Sequence, residues 1–237
     1  MAAAFVQVVT HQQGVGSPTL TTTGGNTTTS GNALIGLVGW PNFASNALSS
    51  FTDNNSNDWS TSIAASPVSI SASNANASLY VAQNITGGSA PTFSATNSVS
   101  GGALSIIVIE VSGLKTSGAV RASASNLSTG FATSYPGASV AAGAGDFVGA
   151  FTVCNPGNPA QTFVQGGGMT IPANGALPGT GGATIPCAFQ YASNVLAGTF
   201  TGAMTGNQFD QYCQIIVALE AAVAAISAGA GLLMGVG

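Results

Sequence analysis

Few residues in this chain of 237 could carry acid–base, nucleophilic or metal chemistry. His11 is the one histidine, so a Ser-His-Asp or Cys-His relay would have to be built on it. It stands beside Gln12 and Gln13 at the end of a strand-like run, an ordinary place for a solvated side chain. The acids are Asp53, Asp58, Glu110, Asp146, Asp210 and Glu220. A glycosidase needs two suitably spaced carboxylates, but it usually also lines a cleft with aromatic and charged groups, and this chain has two tryptophans and two cations. Asp146 follows Ala-Gly-Ala-Gly, where a short acid commonly closes a turn. Glu110 and Glu220 each end an apolar run, which predicts strand-end solvation. Residues 53–58 (DNNSND) gather hard oxygen donors of the kind calcium prefers, yet they lack the spaced acids, glycine and closing Glu of a calcium loop. A polar turn is the expectation there. Cys154, Cys187 and Cys213 are too few and too scattered for a disulfide framework or a zinc site. They are expected as buried free thiols, with a bridge between Cys154 and Cys187 left open. No catalytic, cofactor-binding or metal-ligating set is assigned, and the chain reads as a non-enzyme.

Charged residues make up 3% of the chain, against roughly a quarter in ordinary soluble domains. Polarity comes instead from Ser, Thr, Asn and Gln, and 33 glycines imply many turns. With a net charge of −4, identical subunits would meet little electrostatic resistance to packing together. The composition is that of an assembly subunit, with a secreted domain from an acidic or low-dielectric habitat as the alternative. Lys115 and Arg121 are the only cations, too few for phosphate binding along a nucleic acid or for a polybasic membrane patch. The start, Met-Ala-Ala-Ala-Phe-Val, lacks the basic residues and long apolar run of a secretory signal. Acceptor sequons at Asn26, Asn54, Asn76, Asn84 and Asn126 are expected by chance in so Asn-, Ser- and Thr-rich a chain.

Strand-length apolar runs recur between Gly, Asn, Ser and Pro clusters, and no amphipathic helix is apparent. Strands are predicted at residues 5–9, 33–40, 68–73, 79–84, 92–95, 104–111, 146–153, 161–164, 189–192, 199–204 and 212–220, with another starting near Trp59. Residues 104–111 (LSIIVIEV) are β-branched and nearly continuous, which places them in mid-sheet. The pattern predicts an all-β fold: a jelly-roll-like antiparallel β-sandwich with long Gly/Pro-rich loops, occupying residues 1–220 as one domain. Residues 166–182 are too rich in Gly and Pro for regular structure and are expected as a surface loop. Residues 221–237 (AAVAAISAGAGLLMGVG) form an apolar tail. It is slightly short for a membrane span and has no flanking cations, so a contact between subunits is preferred over an anchor.

Several stretches, taken together, resemble a known type of module. They are Gly31-Asn32-Ala33-Leu34-Ile35; Thr52-Asp53 followed by Asn57-Asp58-Trp59; Leu79-Tyr80-Val81-Ala82-Gln83-Asn84-Ile85 before Gly87-Gly88; Ile109-Glu110-Val111-Ser112-Gly113; and Gly198-Thr199-Phe200 before residues 215–219. Their order over residues 5–220 resembles the jelly-roll, lectin-like β-sandwich module of tailed-phage virion proteins and bacterial surface proteins. The resemblance implies a structural protein located in the virion and assembled in the host cytoplasm, of capsid-decoration or fibre type. Its partners would be copies of itself and a major capsid or other virion protein. The resemblance offers no catalytic residue to carry over. The alternatives are an extracellular or cell-surface module that binds carbohydrate, and a filament subunit joined by strand addition through residues 5–9. A sugar site would need an aromatic platform drawn from Trp40, Trp59, Tyr80, Tyr135, Tyr191 and Tyr212.

Overall fold

The computed structural model describes residues 2–41, 47–61, 63–70, 75–98, 102–128, 130–156, 161–179 and 184–223. Among these the fold is all-β, built from several antiparallel sheets without a helix. The first half of the chain contributes β1 (Ala4–Gly14), β2 (Thr19–Thr21), β3 (Ala33–Pro41), β4 (Leu48–Asp53), β5 (Val68–Ile70), β6 (Ala75–Ala82), β7 (Phe93–Asn97) and β8 (Leu104–Ser112). The second contributes β9 (Val120–Leu127), β10 (Ala132–Tyr135), β11 (Ser139–Ala142), β12 (Phe147–Cys154), β13 (Phe163–Gln165), β14 (Ala176–Leu177), β15 (Cys187–Ala192), β16 (Gly198–Thr201), β17 (Met204–Asp210) and β18 (Tyr212–Leu219).

Each half builds its own sheets, and it does so twice in the same order. The first half forms a five-stranded sheet β1-β8-β3-β6-β5 and a three-stranded sheet β2-β7-β4. The second forms β9-β18-β12-β15-β14 and β10-β17-β13, with β11 and β16 as an added pair. First strand beside last, then third, sixth and fifth, is the plan of both large sheets. The turns repeat as well. Gly31 and Gly145 both take φ +85°, and Asn84 and Asn194 both take φ +50°. The Gly31 N–H donates to Ile85 O at 3.0 Å and the Ile85 N–H to Asn32 O at 2.9 Å. In the second half the Gly145 N–H donates to Val195 O at 2.8 Å and the Val195 N–H to Asp146 O at 3.2 Å. Leu34 pairs with Ala82 across β3 and β6, as Val148 pairs with Ala192 across β12 and β15. Two segments, Ala82-Gln83-Asn84-Ile85 and Ala192-Ser193-Asn194-Val195, thus make the same corner.

Residue parity sorts the side chains into layers, because successive strand residues face opposite ways. Ile35, Leu37, Ile107 and Ile109 from one large sheet share a core with Phe147, Phe151, Phe189, Ile215 and Val217 from the other. On the opposite face of the first sheet, Leu34, Val38, Ile106 and Val108 pack with Phe51, Phe93 and Trp59. Val148, Ala150, Ile216 and Ala218 do the same in the second half, against Val140, Met169 and Val195. Both large sheets are therefore covered on both faces. That is why β3, β12 and β18 are buried along their whole length, and why their sequences run apolar without alternation. Gly36 is required here, since a Cβ would collide with the Phe51 ring that crosses it.

The strands expected from residues 33–40, 104–111, 146–153 and 212–220 appear within a residue or two, and β8 lies between β1 and β3 as expected. Residues 5–9 are part of a longer strand, β1. No strand starts at Trp59; Thr61 makes a single bridge to Val81 instead. Part of the run at 68–73 lies outside the described residues, as does part of the loop at 166–182. The described portion of that loop contains the short β14 and buries Met169. Of the apolar tail, residues 221–223 are described and 224–237 are not.

The repeated corner yields a matched test. Gly31 has open space around its Cβ position and Gly145 has only an ordinary contact at 3.6 Å, so an added methyl is opposed by backbone strain alone. Gly31→Ala and Gly145→Ala are each expected to cost about 1–2 kcal/mol. Thermal unfolding should show similar losses for the two variants.

Candidate functional site

The groups able to do chemistry are mostly committed to holding the fold. Glu110 is fully buried and accepts hydrogen bonds from Gln7 Nε2 at 2.7 Å, the Thr29 N–H at 2.8 Å and Asn32 Nδ2 at 2.6 Å. Strand-end solvation, the expectation for this residue, is replaced by a closed cluster of neutral donors. The second half puts an ionic version at the corresponding corner. Asp146 accepts from Arg121 Nε at 2.6 Å, the Gly143 N–H at 2.7 Å and the Ala221 N–H at 3.2 Å, and Glu220 is paired with Lys115 and Arg121. Both cations of the chain therefore sit in one corner. Asp53 is a turn organiser, as the polar-turn reading has it. Its Oδ1 accepts the N–H groups of Asn55 and Asn57, and its Oδ2 accepts Asn57 Nδ2 and the Trp59 indole N–H at 2.8 Å. Asp58 accepts the Ser60 N–H, and its carboxyl is held below the usual range by the Ser60 hydroxyl and N–H. Asp210 is buried and accepts the Gln211 N–H at 2.7 Å. His11 lies exposed on β1 opposite Ile107.

The three cysteines are free and buried. Cys187 and Cys213 pair with Val153 from either side of β12, and Cys154 follows it. Burial pushes all three thiols well above the ordinary thiol range. Thiol reagents should leave the native protein unmodified at neutral pH and label it once it is unfolded. Unfolded thiols release their protons near pH 8.5 while folded ones keep theirs, so stability is expected to fall as pH rises above about 8.5. Denaturant titrations from neutral pH upward check the sign.

The aromatic candidates for a sugar platform are largely spent on packing. Trp40, Trp59, Tyr135 and Tyr212 are buried. Half-buried Tyr191 is stacked between Phe5, Phe147 and Phe189, which ties the first half to the second. Tyr80 is half-buried and stacks on Phe51, with Trp59 nearby.

What the molecule presents instead is an apolar end on its second half. Phe131 is 52% exposed and Phe209 67%, and their rings stack with centroids 6.2 Å apart. Leu127, on β9, is exposed beside Phe131. An open groove of about 410 Å³ runs beside Phe131, lined by Asn126, Leu127, Ala132, Pro136 and Tyr212. Its floor is rigid. The Tyr212 hydroxyl donates to Pro136 O at 2.6 Å, Asn126 Nδ2 donates to the Tyr212 oxygen at 3.1 Å, and the Tyr135 ring lies 4.9 Å away. Sequence reasoning singled out Tyr212 as a candidate aromatic and missed Leu127, Phe131 and Phe209. One signal for them exists. Phe209 shares parity with Thr205 and Asn207 on β17, so a large apolar residue occupies the polar face of its strand.

No family model matches the chain, and neither curated proteins nor solved structures supply a match.

Proposed function

We propose that the chain is a non-catalytic structural subunit of a virion, of phage capsid-decoration or fibre type. Its partners are copies of itself and a major capsid or other virion protein. The observation that carries this reading is the exposed Leu127–Phe131–Phe209 end, where two stacked exposed rings adjoin an uncharged groove, the type of patch that marks a protein contact. The strand order supports a jelly-roll-like sandwich in each half, with strands 1-8-3-6 facing 2-7-4. The consumption of nearly every carboxylate in turn and corner bonding favours scaffold over catalyst.

Such contacts are made by apolar and hydroxyl groups. Self-association measured by sedimentation is therefore expected to change little between about 0.05 and 0.5 M salt, where charge-driven association would be screened. A steep loss of association with salt would sink the reading.

A second reading, a surface module binding a neutral sugar, is favoured by one feature. A cleft of about 260 Å³ opens beside Trp59 and Tyr80, with the hydroxyls of Ser60, Thr61, Ser66 and Ser78 around it and no charged group in its lining. Of the two tryptophans Trp59 lines this cleft, so its fluorescence, read in a Trp40→Phe background, reports on it. A saturable change on titration with glucose, galactose or N-acetylglucosamine, abolished by Tyr80→Ala, would shift the assignment to this reading.

A further inference from the structure

We infer that residues 224–237 dock in the groove at Leu127 and Phe131, and on the adjoining Phe209 ring, of a neighbouring copy, joining subunits head to tail. The inference rests on the reading of the chain as an assembly subunit and names the two surfaces that meet.

The two features lie at opposite ends of one strand pair. β9 and β18 are antiparallel neighbours, with Leu127 opposite Cys213 at one end and Val120 opposite Leu219 at the other. The groove is at the first end, where Leu127 and Tyr212 line it. The chain departs from the second. Glu220 is held there by Lys115 and Arg121, the Ala222 N–H donates to Gly113 O at 2.7 Å, and Val223 is 83% exposed. An eight-residue strand spans about 24 Å at roughly 3.3 Å per residue. β18 also runs away from the groove, so the described chain ends at Val223, at the far end of the strand pair from its own groove. A copy placed end to end offers its groove without a reversal of the chain.

The chemistry of the two surfaces agrees. Residues 224–237 carry no ionisable side chain, and Ile226, Leu232, Leu233, Met234 and Val236 are spaced by Ala, Gly and Ser. The groove has no charged lining residue, and its one titratable group, Tyr212, is fixed on Pro136 O. Its rim carries Ser128 and Ser134, whose hydroxyls can bond the main chain of an apolar guest whose own side chains cannot. Small residues let the guest backbone approach closely, while the larger ones meet Leu127, Phe131 and Phe209. A donor at one end and an acceptor at the other make a heterologous contact, which propagates along a row or closes a ring.

The test uses two full-length variants. One is the double substitution Phe131→Ser with Phe209→Ser, at exposed positions; the other is the triple substitution Leu232→Ser, Leu233→Ser and Met234→Ser. The wild-type chain is expected to associate in a concentration-dependent way in sedimentation. Each variant alone should associate at least about tenfold more weakly, since exposed aromatic anchors dominate such contacts. Their equimolar mixture should form a one-to-one dimer, because one keeps its groove and the other its segment. Matching thermal unfolding curves establish that both variants are folded. A mixture that stays monomeric overturns the pairing, and so does a triple variant that associates like wild type. If wild type still associates or enters particles in those cases, the structural-subunit reading stands without it. A wild-type chain that is monomeric at every concentration and in the presence of particles removes both.

Discussion

The contact between the two five-stranded sheets is what the rest of the molecule hangs on. Ile35, Leu37, Ile107 and Ile109 meet Phe147, Phe151, Phe189 and Val217 in a layer closed to water. Burying each such side chain is worth roughly 1.5–3 kcal/mol, and the layer draws on both halves of the chain. Since each large sheet has a second apolar face against its own small sheet, its central strands never see solvent. The carboxylates this fold does bury, Glu110, Asp146 and Asp210, are each held by hydrogen bonds. Two of its few charged clusters, Glu110 with Gln7 and Asn32, and Asp146 with Arg121, serve to close the same corner twice.

How much of this could be seen in the sequence follows from the same burial. β3, β8, β12 and β18 are covered on both faces, so their sequences are continuous apolar runs that stand out. β9 reads VRASASNL and β11 reads SVAA. Ala and Ser have weak strand preference, and neither run carries an apolar face large enough to notice, so both strands are absent from the sequence reading. β2 is three residues long, too short for any period, whereas β13 falls on the run expected at residues 161–164. The doubling of the fold was hidden for a different reason. It shows in backbone geometry, in Gly31 and Gly145 and in Asn84 and Asn194, while the side chains between differ.

The apolar end was illegible because it is made of isolated residues. Leu127, Phe131 and Phe209 come from separate segments, each embedded in Ser, Thr, Gly and Asn, and only the folded chain brings Leu127 beside Phe131 and stacks Phe131 on Phe209. The aromatic residues that looked available for binding were instead those the core required. Trp59 illustrates the difference: its indole N–H is bound by Asp53 and its ring packs on Phe51, so a residue conspicuous in sequence is structural in the fold.

The separation of the halves along the chain also bears on how the protein is made. β1 pairs with β8, and β9 with β18, so each half can close its own sheet once its last strand has emerged from the ribosome. The first half then waits. The outer face of its large sheet, with Ile35, Leu37, Ile107 and Ile109, stays uncovered until β12, β15 and β18 have been synthesised. For that interval the nascent chain is a folded object with a greasy side. Two such chains on neighbouring ribosomes could satisfy each other before either meets its own second half.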